Sequence, residues 1–202
     1  MTPHDAEILK LASALKVPPQ RFGYLRQVPL EDLRRFREQV TGVLFDAHLG
    51  VLQRMAAASK LLPSPLLARM AQLVFGPLLS ARIAGLVDPA RGVDIARRLP
   101  PAFLADVAAE LDPRRASGIT AGLPERVVSA VAEELVRRED WVTVARFVDH
   151  LPGSTIVASL EFIPDAALSH IAALLDDPAR IAYLVSLLPD DHLGAIPGDL
   201  AG

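Results

Sequence analysis

From Val87 onward an apolar residue followed by a helix-start signal recurs in steps of 12: Val87, Leu99, Leu111, Leu123 and Leu135. After one step of 16 to Leu151 the rhythm resumes at Ile163 and Leu175, and Leu188 follows 13 residues later. Behind these residues come Asp88-Pro89, Pro100-Pro101, Asp112-Pro113, Pro124-Glu125, Pro152-Gly153-Ser154, Pro164-Asp165, Asp176-Asp177-Pro178 and Pro189-Asp190. Asp is a preferred N-cap and Pro fits the first helical turn, where its missing N–H is not needed. Counting each recurring residue as position one, position nine reads Ile95, Val107, Ile119, Val131 and Ile171. Position six holds Leu104, Val128, Ile156 and Leu168 but also Gly92 and Ala116, and position ten is mostly small: Ala96, Ala108, Thr120, Ala132, Ala172. These spacings of three, four and seven lie on one helical stripe. A helix of about ten residues is only about 15 Å long and is marginal alone in water. Each repeat must therefore share a core with its neighbours, which predicts an all-α, right-handed superhelix or solenoid of short 12-residue helical repeats.

Upstream, Asp5 to Lys16 reads as an amphipathic helix with Ile8, Leu11, Ala12 and Leu15 on one face, ended by Val17-Pro18-Pro19. A short segment around Phe22, Tyr24 and Leu25 leads to Pro29. One long helix is expected from Leu30 to about Leu61, first along Leu33, Phe36, Val40 and Val43, then along Leu44, His48, Val51, Met55, Ala58 and Leu62. Gly42 and Gly50 favour a bend in it, and Glu31 and Arg35 suit an i,i+4 pair. Residues 61–87 are the most apolar part of the chain but are divided by Pro63, Pro65 and Pro77 and interrupted by Arg69 and Arg82. Two short helices, about Ser64 to Phe75 and Pro77 to Leu86, are expected, with no uninterrupted run approaching the roughly 18 apolar residues of a membrane span. The first expectation for 61–87 is a buried junction; the second is a face for a membrane surface or a partner. Residues 1–87 thus read as an N-terminal helical segment and 88–197 as the repeat region, the two forming one continuous elongated domain.

Charge changes the picture of partners. Residues 1–87 carry 11 Lys/Arg and 6 Asp/Glu, and residues 88–202 carry 10 and 18. The acidic excess falls in 139–202, with 2 basic and 10 acidic residues. Such an acidic end disfavours nucleic acid. The basic half suits an anionic membrane surface or the acidic half of a second copy, and together with the apolar 61–87 this makes a homodimer an expectation. The chain has no cysteine, which removes disulfides, thiolate zinc sites and a cysteine nucleophile. Its first residues do not resemble a secretory leader, and the expected location is cytoplasmic.

Catalytic signatures are missing: no Walker loop, GxGxxG, HExxH, GxSxG or EF-hand loop occurs. His4, His48, His150, His170 and His192 never share a metal-ligand spacing. His48 falls on the apolar face of the long helix and reads as a hydrogen-bonded core histidine; His150 follows Asp149 at a helix end and suits terminal carbonyls. Ser154 and Thr155 begin a helix and read as caps, and Trp141 reads as a packing anchor at the 16-residue step. Asp176-Asp177 and Asp190-Asp191 sit at helix starts, where carboxylates favour the positive end of the dipole; a weak hold on Mg²⁺ or Ca²⁺ is the alternative. No catalytic, cofactor-binding or metal-ligating residue is assigned, and a non-enzymatic protein is expected.

Leu99-Pro100, Leu111-Asp112-Pro113, Leu123-Pro124, Leu151-Pro152 and Ile163-Pro164, each opening a helix of about ten residues, resemble the cytoplasmic N-terminal domain of the MgtE magnesium transporters. That domain is a superhelix of short helices, similar to parts of the flagellar motor protein FliG. The resemblance covers about residues 88–196 and implies a regulatory or interaction superhelix with divalent cations gathered on acidic surfaces. Residues 1–87 lie outside it, and neither a pore nor the adjoining CBS pair is expected, so transport is not implied. The leading expectation is a helical-repeat module that binds a protein partner. The alternatives are a peripheral membrane protein docking through its basic, apolar N-terminal half, a Mg²⁺-responsive regulatory domain, and an enzyme with an unrecognised site.

Overall fold

The computed structural model describes residues 1–46, 49–148, 150–151, 153–160, 162–175 and 178–187. Every regular element among the described residues is helical, with thirteen α-helices, one 3₁₀ segment, one π-helical turn and no strand. The chain is therefore all-α, as its periodicity predicts. It divides into two compact units, Met1–Ala47 with Pro164–Gly202, and His48–Ile163. Contacts thus separate the chain near residue 47. The described helical residues of the long helix expected over 30–61 are α2 (Leu30–Asp46), in the first unit, and α3 (Leu49–Ser59), in the second; residues 47 and 48 lie outside the described residues.

In the first unit, α1 (Pro3–Leu15) starts two residues before the expected Asp5 because Thr2 makes a capping box. The Asp5 amide donates to the Thr2 hydroxyl at 3.1 Å and the Thr2 amide donates to the Asp5 carboxylate at 3.3 Å. The box satisfies two of the amides a helix start leaves unpaired. Ile8 and Leu11 of α1 pack with Leu33 of α2, surrounded by Leu15, Phe22, Leu25, Val28 and Val40. Phe22 and Leu25 come from the 3₁₀ segment Pro19–Gln27. Only part of the apolar stripe of α2 is covered: Leu33 is buried, whereas Phe36 and Val43 are exposed. Arg35 pairs with Asp32 at 3.5 Å, one turn over three residues, rather than with Glu31. Glu7 is 1% exposed on the inner face of α1; Lys10 Nζ donates to it at 3.0 Å and Arg37 Nε at 2.7 Å. A carboxylate so buried requires such donors. Farther along, α12 (Asp165–Ala172) begins where Pro164 predicts, and α13 is described over Pro178–Leu187.

The second unit runs from α3 through α4 (Ser64–Met70), the π-turn Ala71–Phe75, α5 (Gly76–Ala84), α6 (Pro89–Ala96), α7 (Pro101–Glu110), α8 (Ser117–Gly122), α9 (Glu125–Arg137), α10 (Trp141–Val148) and α11 (Gly153–Leu160). Helices pack on the one two places ahead: α3 on α5, α5 on α7, α7 on α9 and α9 on α11, with α4 on α6 and α6 on α8 as a second row. Short helices that would be marginal alone are thereby each clasped by neighbours. The second row is close because of glycine: a Cβ on Gly92 would lie 2.3 Å from Ile119 Cδ1, and one on Gly122 2.9 Å from Val93 Cγ2. Position six loses its side chain at Gly92 because position nine of a later repeat fills that space.

Two of the expected helix starts are displaced. After Asp112-Pro113 the helix does not start at once. Asp112 accepts from the Arg114 amide at 3.1 Å, which holds a turn, and α8 begins only at Ser117. At the 16-residue step, α9 continues past Leu135 to Arg137, so the four extra residues are about one additional helical turn. Glu139, at φ 55°, then reverses the chain. Asp140 caps α10 by accepting from the Thr143 amide at 3.2 Å and its hydroxyl at 2.7 Å. Trp141 opens that helix and is half-buried.

Residues 61–87 do form two arms, Ser64 to Phe75 and Gly76 to Ala84, but they are not wholly a buried junction. Leu67, Ala68, Ala71 and Ala81 face inward, while Leu61, Leu66, Leu73, Val74 and Leu78 are exposed. Taken as one run, Ser64–Ala84 spans 21 residues and is long and apolar enough by length and mean composition alone to cross a membrane, although Arg69, Gln72, Ser80 and Arg82 interrupt its apolar side chains. Gly76, at φ 68° and ψ 176°, nevertheless breaks the rod between the arms, and Pro77 starts the second arm at a position suited to it.

Candidate functional site

The predicted stripe lines one cavity inside the unit His48–Ile163. Its walls include Val87, Leu99, Leu111, Leu123, Leu135, Leu151 and Ile163 from position one, and all of positions six, nine and ten between Gly92 and Ala132. The cavity measures about 480 Å³. It is a trough rather than a closed core: at position nine Val107 is buried, but Ile95, Ile119 and Val131 remain half-buried. The α4–α5 segment adds Leu67, Met70, Ala71, Phe75, Ile83 and Ala84 to one end.

Among the described residues no Asp, Glu, Lys, Arg or His lines the trough. Its polar side chains are Ser59, Ser80, Thr120 and Ser159. Three of them are occupied by their own helices, Ser59 donating to the Ala56 carbonyl at 2.6 Å, Thr120 to Ser117 at 3.0 Å and Ser159 to Thr155 at 2.9 Å. Ser80 Oγ is buried without a hydrogen-bond partner. Such walls can exclude water and pack apolar groups. Among the described lining residues none is an acid, a base or an activated nucleophile.

Arginines brace the trough from outside. Arg91 of α6 donates to the Ser59 carbonyl at 2.6 Å and to that of Leu62, at the end of α3. Arg146 of α10 does the same at the end of α7, reaching Ala109 O at 3.2 Å and Leu111 O. Helix C-termini offer unpaired carbonyls and the negative end of the dipole, so each guanidinium ties a helix to one three places earlier. In sequence these arginines register only as surface charge, and no local spacing marks them. Arg91→Met should destabilise the protein by about 1.5–3 kcal/mol, the range for hydrogen bonds to a charged group; an unchanged denaturation midpoint would show that the carbonyls are as well served by water.

A third arginine is held by Glu134. Arg138 reaches from α9 to Asp106 and to the Ala102 carbonyl of α7, while Glu134 accepts from Arg138 Nε at 2.7 Å and from Arg137 at 2.7 and 2.9 Å. The hydrogen bonds from Arg137, then those from Arg138, hold the Glu134 carboxyl down to about 2. A carboxyl lowered by folding stabilises the fold above its unfolded value near 4.5 and loses that contribution as pH falls toward about 2. Glu134→Gln should therefore lower the thermal midpoint at neutral pH, with the gap to wild type closing over that acid window. Parallel melts at neutral and low pH measure it, and a gap independent of pH would remove the ion-pair account.

The other residues singled out in sequence do not converge. Asp176, Asp177, Asp190, Asp191, His48 and His192 lie outside the described residues. His4 Nε2 donates to the Val28 carbonyl at 3.0 Å, and His170 Nδ1 to the Ala166 carbonyl of its own helix at 3.0 Å. Ser154 is exposed in the first turn of α11 and Thr155 is buried beside it. Among the described residues no group of three or more His, Asp or Glu side chains is placed to hold a metal ion. Melts in EDTA should match those without chelator, and Mg²⁺ and Ca²⁺ should raise the midpoint slightly and equally by screening the acidic residues of 139–202. Unfolding in EDTA, or a large Mg²⁺-specific rise, would establish a structural cation instead. Comparison of the chain with protein-family models, with curated proteins and with solved structures returned no match.

Proposed function

We propose that the chain is a non-enzymatic helical-repeat interaction module whose trough receives an amphipathic helix of a protein partner. On this reading the alternating rows of α3 to α11 are a right-handed solenoid left open on one side. The observation that carries it is the half-buried state of the stripe. Ile95, Ile119 and Val131 belong to the set each repeat uses to pack on its neighbour, yet they still face the trough. A surface built for helix packing is complemented by another helix with apolar residues at i, i+3, i+4 and i+7. The small residues at position ten admit its backbone closely. The implied kinship with the MgtE cytoplasmic domain points to the same kind of use.

The test is photocrosslinking in cells from Val131→p-benzoylphenylalanine, with the exposed Arg126 carrying the same group as control. Adducts specific to position 131 whose peptides read as amphipathic helices are the expected result. Adducts equal at both positions, or only with lipid at 131, would overturn the proposal.

A further inference from the structure

The outward face of the α4–α5 elbow belongs to neither the core nor the trough. Pro65, Leu66, Arg69, Gln72 and Leu73 are exposed at spacings of three, four and seven, so they form one stripe along α4 and its π-turn. Val74 and Leu78 continue it around the break at Gly76, and Leu73 and Val74 are 71% and 70% exposed. Large aliphatic side chains this open to water, gathered on one helical face, mark a contact surface rather than scattered exposure. Their neighbours decide the partner. Between Ala47 and Val87 the chain has four cations, Arg54, Lys60, Arg69 and Arg82, and no carboxylate. None of the four has a carboxylate partner among the described residues, whereas Arg26, Arg37, Arg98, Arg137 and Arg138 elsewhere all pair with one.

We propose that this face docks on the surface of an anionic lipid bilayer, with Leu66, Leu73, Val74 and Leu78 entering the headgroup–acyl boundary and Arg69 meeting lipid phosphates. Interfacial helices combine an apolar face with unpaired cations in this way and sink about 5–10 Å. A protein partner fits less well, because the patch has no Trp or Tyr to serve as the anchoring side chains that concentrate binding energy. Spanning is disfavoured by the helical break at Gly76 and by the inner faces of α4 and α5, which are engaged by α6, α3 and α7. The inference stands apart from the trough, whose filling by a partner helix leaves this outer face untouched.

The test is co-sedimentation of the full chain with vesicles of phosphatidylcholine alone and of phosphatidylcholine mixed with phosphatidylglycerol. The protein should pellet with the anionic vesicles and far less with the neutral ones, and raised salt should weaken binding, since surface charges are screened over about 8–10 Å at moderate ionic strength. Leu73→Ser with Val74→Ser should weaken binding to anionic vesicles about tenfold or more, from the loss of two inserting side chains. Arg69→Glu should remove much of the preference for anionic lipid, while Arg126→Glu, on α9, should leave it intact. Circular dichroism of each variant establishes that these exposed changes leave the helices folded. Equal recovery with and without anionic lipid, or wild-type binding by the Leu73/Val74 variant, overturns the proposal. So does a lipid-free dimer, seen by sedimentation equilibrium, that the same variant dissociates, because the patch would then be the seat of a second copy.

Discussion

Val107→Asp should unfold much more than one helix. Val107 is 9% exposed and belongs to a cluster with Ala81, Leu111 and Ala116, against which Phe103, Phe147 and Ala84 pack. These side chains come from α5, α7, α10 and the turn before α8, so a charge placed among them is felt by both rows of the second unit. An uncompensated buried charge costs about 3–5 kcal/mol, a large share of the roughly 5–15 kcal/mol that separates folded from unfolded domains. At about 2–4 °C per kcal/mol for a chain of this size, the thermal midpoint should fall by about 10 °C. Because short helices are stabilised by their neighbours, the helical signal lost at that lower midpoint should exceed what one ten-residue helix contributes. Val131→Asp provides the contrast. It occupies the same position of its repeat but is half-buried on the trough wall, where water can reach the new carboxylate, so its cost should be about 1 kcal/mol. Equal losses from the two variants would mean that position nine is uniformly closed and that the trough is part of the core.

The contrast also shows what the sequence made legible. Period and helix-start chemistry were sufficient for α6, α7, α9 and α12, because Asp and Pro act locally at a helix start. They failed where a side chain had a second local option. Asp112 turned the chain by accepting from Arg114, and α8 began late. Asp140, unremarked in sequence, capped α10 through Thr143. The apolar stripe identified the trough wall residue by residue but not its openness, because periodicity reports which face is apolar and not whether a neighbour covers it. The same limit explains why 61–87 read first as a buried junction although Leu73 and Val74 stand in water. Long-range ties such as Arg91 to the end of α3 and Glu7 with Arg37 leave no local spacing at all.

Gly92→Ala should cost about 1–3 kcal/mol despite adding a single methyl group, the range for overpacking a closely fitted site. In an ordinary helix interior the same change is favourable, by up to about 1 kcal/mol, because alanine loses less backbone entropy. Here the new Cβ would stand 2.3 Å from Ile119 Cδ1 and 2.7 Å from Cγ1. Cγ1 moves only with χ1, which a β-branched side chain in a helix holds in one strongly preferred rotamer, so relief requires either an unfavourable Ile119 rotamer or a shift of α6 from α8. Ile119→Ala removes both atoms and should cost about 1–2 kcal/mol on its own, near the lower end for such truncations because the residue is half-buried. With Ile119→Ala in place, Gly92→Ala meets only the former Cγ2 position at 3.6 Å, which is also vacated. The added methyl then fills space, and the usual helix preference for alanine returns. Denaturant titrations of the two single variants and the double variant should yield a coupling of at least about 1 kcal/mol, with the double variant more stable than the sum of the single losses predicts. Additive losses would show that Gly92 and Ile119 do not share this space, and with it would go the close packing of α6 on α8 that the second row of helices requires.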